Sequence, residues 1–384
     1  MRPYRQLGQL PAKRHTLFEV DGAHCFEELV GREGFSGQSS LLYHRHLPEA
    51  ARSITAGPVE DRSPVEEAIL LQAHLETPSL DRRGDPVTAR QWLLVNEDVA
   101  LGICLPEHNA EALSVTADAD ELWFIHEGRG LLESPYGTVG FEAGDYLVVP
   151  RGTTSRMVLD DPATARLLIL ETAGPVDSPH RYRNAHGQLT EAAPYCERDV
   201  RGPEALLERT GPASVWVKHR GRFSMVELAH HPFDVVGWDG GLYPSALSIH
   251  AFEALAGRVH VPPPFHQTFE APGVVVCSFV PRLLDWDPEA NVLPYHHHNV
   301  DSDEVLYYVN GNYQARRGIA EASITHHVGG LIHGPQPGAL EASLGRERRT
   351  EELAVMVDTF KPLRRTALAL QIADPNYPWS WANG

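Results

Sequence analysis

The chain has 384 residues, and 33 Lys+Arg against 51 Asp+Glu leave a net charge of −18, which argues against a basic nucleic-acid or anionic-membrane surface. With 22% charged and 42% hydrophobic residues the composition is that of a folded chain, long enough for one large domain or two of ordinary size. Thirty-two Gly and 30 Pro favour short strands over long helices, and 21 His are a surplus that asks for a use.

Residues 1 to about 60 show turn residues and few sustained periods, so this stretch is expected to be irregular, with Tyr43-His44-Arg45-His46 in a loop. Met1 to Lys13 is basic and polar, unlike a signal peptide, and no apolar run approaches the ~20 residues of a membrane helix. Cys25, Cys104, Cys196 and Cys277 are far apart and form no CxxC pair, which reads as reduced thiols in the cytoplasm. Val65–Leu75 is ambiguous between helix and strand. From Gln91 the texture becomes short β-rich segments: Gln91–Ile103, Glu121–Leu132, Tyr146–Val149 and Ala165–Leu170. Residues 174–213 read as a connector. A second β-rich block follows, clearest at Val274–Val280, Glu304–Val309 and Leu353–Val357. The expected partition is an N-terminal segment (1–80), a β domain (81–173), the connector (174–213) and a second β domain (214–384).

A motif repeats across the two blocks. Glu121 is followed six residues on by Gly128, then by Gly144-x5-Pro150-x-Gly152-x2-Ser155. Glu304 is followed six residues on by Gly311, then by Ala322-x5-Val328-x-Gly330-x2-His333. This pattern resembles the two motifs of cupin barrels, which are double-sheet jelly rolls. The resemblance implies an all-β bicupin in which only the second copy keeps its metal ligands. In the first copy Ser155 stands in place of a ligand, and Asp118 and Asp120 stand where histidines are expected.

Eight of the 21 histidines fall between His260 and His333. Two strings dominate: Tyr295-His296-His297-His298-Asn299 running on to Asp303-Glu304, and His326-His327 running on to His333-Gly334-Pro335. Two His and a carboxylate on facing strands can occupy one face of an octahedron, the arrangement of non-haem Fe(II) oxygenases. Zinc more often takes a tetrahedral site richer in N and S ligands. Asp301 and Asp303 read as turn or solvated residues.

The second block resembles the homogentisate 1,2-dioxygenase family, its bacterial branch above all. The matching strings are Pro232 to Gly240, Val261-Pro262-Pro263-Pro264-Phe265-His266-Gln267-Thr268-Phe269-Glu270, Asn299 to Asn312, and His333-Gly334-Pro335. Tyr4 to Gly8, Lys13 to Thr16 and Ser39 to His44 add support, so the resemblance spans nearly the whole chain. It implies Fe(II)-dependent cleavage of a hydroquinone ring with both atoms of O2 incorporated, for homogentisate to a maleylacetoacetate-type product. It implies iron ligands at Glu304 and His333, with His297 as the first His ligand because Tyr295-x-His297-x-Asn299 fits the family pattern; His298 is the runner-up. His266 matches the family's base, which an unperturbed imidazole near pH ~6.5 would suit. Tyr295, Tyr313 and His327 match substrate-pocket positions, and His333 borders the same pocket. The prolines at 262 to 264 would stiffen the approach to His266. The resemblance further implies a trimer-based homo-oligomer acting on a small aromatic substrate.

The chain departs from the pattern at Ala322 and Val328, where Gly and Pro are expected, and at Gln336, where relatives often have His. Those departures leave open a related dioxygenase acting on another hydroquinone or an aminophenol. A non-oxidative cupin isomerase or decarboxylase is a further alternative, and a binding module fits the first block alone.

Overall fold

The computed structural model describes residues 3–311, 318–343 and 348–382. It is built of strands, with only two five-residue α-helices among the described residues. Two jelly-roll barrels share one wall order.

In the first barrel the main sheet runs Ser245–Ser248, Asp145–Val149, Asp120–Glu127, Arg166–Thr172, Val99–Cys104, Arg90–Val95, Arg364–Arg365. Its facing sheet is Gly137–Glu142, Arg129–Ser134, Arg156–Leu159, extended by a Ser114–Ser155 bridge to the strand Leu113–Thr116. The second barrel's main sheet runs Gln267–Ala271, Val274–Phe279, Ala354–Thr359, Asp303–Tyr308, Ile324–His327, Ala73–Leu75. Among the described residues its other wall holds the pair Arg282–Leu283 with Arg349–Thr350 and a His297–His333 bridge. Because side chains alternate along a strand, each main sheet sends one set inward and the other outward. The outward sets meet: Leu101, Ile103, Leu122, Phe124, Leu168 and Leu170 of the first barrel pack in one core with Val274, Val276, Val305, Tyr307, Ile324, Val355 and Val357 of the second. Truncating one of these fully buried residues to Ala costs about 2–5 kcal/mol. This back-to-back core fixes one barrel against the other.

The sheet pairing divides the chain differently from the partition expected from sequence. Ala213–His219 pairs in parallel with Leu113–Thr116, and Ser245–Ser248 pairs with Asp145–Val149, so residues 213–248 belong with the first barrel. The second barrel's sheet starts at Gln267, and Ala73–Leu75 of the N-terminal segment closes its far edge. Residues 1–60 are not irregular. Arg5–Gly8, Phe26–Gly31 and Ser39–His44 form a sheet with Val235–Gly240, and Ala51–Val59 pairs with Arg222–Leu228. Their partners lie far along the chain, which hides the pattern from a local reading. His44 is thus a buried strand residue: one ring nitrogen meets Asp234 at 2.7 Å and the other Glu28 at 2.9 Å. Burial alone would lower its pKa, but those two carboxylates raise it to about 9.

The turn of the repeated motif shows why Gly suits it. Gly144 has φ +91°, and Ala322, its counterpart, is forced to φ +63°. A Cβ in this left-handed region costs about 1–2 kcal/mol. Ala322 stays because the turn is held from both sides: its N–H donates to the Tyr308 carbonyl at 2.7 Å and its own carbonyl accepts the Thr77 hydroxyl.

All four cysteines are unpaired, three of them buried. Among the described residues no helix is long and apolar enough to cross a membrane.

Candidate metal centre

Glu304 lies on the strand Asp303–Tyr308, opposite His327 on one side and Asp358 on the other. Directly opposed residues share a face, so Val275, Asp358, Glu304 and His327 form one inward-pointing row. From the facing wall come His297 and His333. They are locked as a backbone pair: the His297 N–H donates to the His333 carbonyl at 2.7 Å, and the reverse bond is 2.8 Å. The side-chain ligand atoms of His297, Glu304 and His333 all lie within 4.8 Å of one another.

The tautomers are set by the same device twice. His297 Nδ1 donates to the Tyr295 carbonyl at 2.8 Å, and His333 Nδ1 donates to the Leu331 carbonyl at 3.2 Å. In each neutral ring the lone pair is then on Nε2, and both Nε2 atoms lie 3.4 Å from Glu304 oxygens. His333 Nε2 is buried without a hydrogen-bond partner. An orphaned lone pair next to a second imidazole nitrogen and a buried carboxylate is a donor set that fits a divalent cation. Burial would raise the Glu304 pKa, but His297, His327 and His333 hold it well below the usual carboxylate range. His298 is exposed and not in this set, and His296 is exposed beside it.

His327 does not line the adjoining cavity. Its Nδ1 meets Glu304 Oε1 at 2.9 Å, its Nε2 meets the Tyr377 hydroxyl at 2.9 Å, and its ring stacks on His333 at 4.2 Å. Both nitrogens are engaged and the side chain is buried, so it contacts the carboxylate and not the cavity. Neither is Asp303 a solvated turn residue. It is buried, and its carboxylate accepts the Gly329 and Leu363 N–H groups and meets His326 at 3.1 Å.

Beside the triad is a cavity of about 420 Å³ lined by His297, Glu304, Asp358, His266, Asn299, Tyr295, Arg282 and Glu352 among others. His266 ends the turn Pro263–His266 and stacks on Phe279 with centroids 4.6 Å apart. Its pKa falls to about 4, chiefly through burial and secondarily through Arg282, so the ordinary imidazole value expected from sequence does not hold. It is a neutral ring whose Nδ1 is buried without a partner. Tyr295 is 65% exposed at the cavity's edge. Tyr313 lies outside the described residues. Asp358, which the sequence reading did not single out, also lines the cavity; burial and then Glu304 push its pKa up to about 7.

The first barrel has the equivalent row, Ala100, Glu171, Glu121 and Val149, and the bridge Ser114–Ser155 matches His297–His333. Ser114, not Asp118 or Asp120, therefore stands where His297 does. Asp120 instead accepts Arg32 at 2.6 Å and the Arg151 and Val176 N–H groups. Arg90 reaches Glu121 at 2.8 Å and Glu171 at 2.6 Å, and Arg62 and Lys218 also pair with Glu171.

A family model described as "Homogentisate 1,2-dioxygenase N-terminal" matches residues 95–248, which hold most of the first barrel's strands. A protein named "Putative dioxygenase" from Saccharolobus solfataricus is 39% identical over 381 residues, 98% of each chain. The homogentisate 1,2-dioxygenase of Bradyrhizobium diazoefficiens is 26% identical over 273 residues, 66% of this chain but only 58% of that protein's length. Among solved structures, a cupin 2 conserved barrel domain protein from Leptotrichia buccalis matches over 71% of this chain and 88% of its own at 9% identity, with a TM-score of 0.31.

Proposed function

The chain belongs to the same family as the Saccharolobus solfataricus dioxygenase-named protein, and from that premise we propose that it is an Fe(II)-dependent dioxygenase that opens a hydroquinone-type ring, with homogentisate to maleylacetoacetate as the first reaction to test. The observation that carries this reading is the pair of Nε2 lone pairs, on His297 and His333, converging with Glu304 at the edge of a closed-in cavity. Three ligands on one side leave the other side for substrate and O2.

His297, Glu304 and His333 would hold the metal. When bound, Fe(II) supplies the redox centre through which an electron-rich ring and O2 exchange electrons. This chain's residues do the rest. Two backbone carbonyls fix the imidazole tautomers, and His327 with Tyr377 fixes the carboxylate. His266, a neutral ring in the cavity lining, would face a ring hydroxyl of the substrate. Tyr295 closes the rim. Overall the reaction adds both oxygen atoms to the ring, so no external reductant is consumed.

A second reading, another hydroquinone or an aminophenol, draws support from the homogentisate-named relative, which is only 26% identical and matched over 58% of its length. The test is oxygen uptake by Fe(II)-reconstituted protein with homogentisate, hydroquinone and 2-aminophenol, with ring-opened product followed by absorbance. Uptake with any of them, equimolar with product, supports ring cleavage. Turnover of a substrate without oxygen uptake would replace it with a non-oxidative cupin reaction.

A further inference from the structure

One polar group of the second barrel's inner row is not used by the triad. Asp358 stands next to Glu304 on the neighbouring strand, points the same way and lines the cavity. Its Oδ1 is buried with no hydrogen-bond partner. A buried acceptor left unmatched is destabilising, more so when charged, so its retention asks for a donor. The corresponding first-barrel residue, Glu171, receives Arg62, Arg90 and Lys218. No cation pairs with Asp358 among the described residues. Arg282, which lines the same cavity, is already paired with Glu352 at 2.7 Å and bonded to the Val280 carbonyl at 3.2 Å. A ring bound in the cavity, which Asp358 lines, can supply a donor to its carboxylate.

We propose that Asp358 is a specificity-determining residue that contacts the substrate, its carboxylate accepting a hydrogen bond from a hydroxyl or amine of an aromatic ring held in the cavity. This rests on the ring-cleavage reading and deepens it. The residue selects rings that carry such a donor over their ethers. It moves no proton or electron.

Anaerobic calorimetry on the Fe(II)-loaded protein tests it with two probes, hydroquinone and 4-methoxyphenol, which differ by one methyl group that removes one donor. The wild-type protein should prefer hydroquinone by about fivefold or more, the value of one hydrogen bond. Asp358→Val should bring the two dissociation constants to within about threefold, and Asp358→Asn should fall between, because the amide keeps an acceptor. Both variants should keep the wild-type iron content. Iron loss in Asp358→Asn would overturn the proposal by making the residue part of the metal site. An unchanged preference in both variants would overturn it while leaving ring cleavage intact. A wild-type protein that neither binds hydroquinone nor takes up oxygen with any ring would overturn both.

Discussion

At the same point in the two barrels a sheet row presents two neighbouring acids to the interior: Glu121 with Glu171 in one, Glu304 with Asp358 in the other. Two buried like charges cannot stand uncompensated. The barrels answer in opposite ways. The first brings cations of its own from three distant segments, Arg62, Arg90 and Lys218, with Arg62 and Arg90 stacked over Trp92 and Trp123. The second brings imidazoles: His327 engages Glu304 at 2.9 Å, and His297 and His333 aim lone pairs at it. A guanidinium satisfies carboxylates and has no further use for a ligand. An imidazole with one nitrogen tied to the backbone satisfies a carboxylate only by sharing a cation with it. One site is thereby closed, and the other stays open to a metal and a substrate.

The largest effect should come from breaking the closed site. Arg90→Leu leaves Glu121 and Glu171 short of a buried partner and should cost about 3–5 kcal/mol in denaturant unfolding. Adding Glu121→Gln should recover part of that loss. If Arg90→Leu unfolds like the wild type, the ion cluster is not what closes the first barrel.

A smaller effect is expected from pH, at the clamp that ties the strands of the N-terminal sheet together. The folded pKa of His44, about 9, lies above its ordinary 6.5, so the ring is charged in the folded chain where it would be neutral when unfolded. Its contribution is complete below about pH 6.5 and is lost as the pH rises through about 9, on the order of 3 kcal/mol in all. Melting temperature measured from pH 6 to 10 should fall more steeply for the wild type than for His44→Asn. Parallel curves would contradict the clamp.

How much of this could be read from the chain depends on the range of the interactions. Glu304 and His333 stand in a local motif, and His297 stands between Tyr295 and Asn299, the pattern through which the family resemblance favours it over His298; the structure brings the three side chains together, and their role as ligands is part of the proposal. Residue 313 was singled out on the same grounds and lies outside the described residues. What was hidden is long-range. Arg5–Gly8, Ser39–His44 and Ala51–Val59 pair with partners near 222–240, and the cations that fill the first barrel come from positions 62, 90 and 218. Ser114 was missed because two nearby aspartates drew attention, whereas the seven-residue step from Ser114 to Glu121 repeats the step from His297 to Glu304. His327 was taken for a pocket residue because sequence does not say which side of a carboxylate a ring occupies.

That role gives a finer test. His327→Phe keeps the stacked ring but frees one oxygen of Glu304, and should weaken metal affinity by about 10–100-fold in a chelator competition. An unchanged affinity would return His327 to a packing role. The smallest effect concerns the turn the barrels share. Ala322→Gly relieves a positive φ but loses a buried methyl group, so its stability should stay within about 1 kcal/mol of wild type. Ala322→Val, β-branched in that conformation, should lose more than about 2 kcal/mol in the same melt.

The contrast between the barrels is tested most directly by counting iron. After anaerobic reconstitution with Fe(II) and removal of excess metal, the wild-type chain should retain one iron. Glu304→Ala should retain none, and Glu121→Ala should still retain one. Two irons in the wild-type chain, or iron kept by Glu304→Ala and lost by Glu121→Ala, would contradict the account.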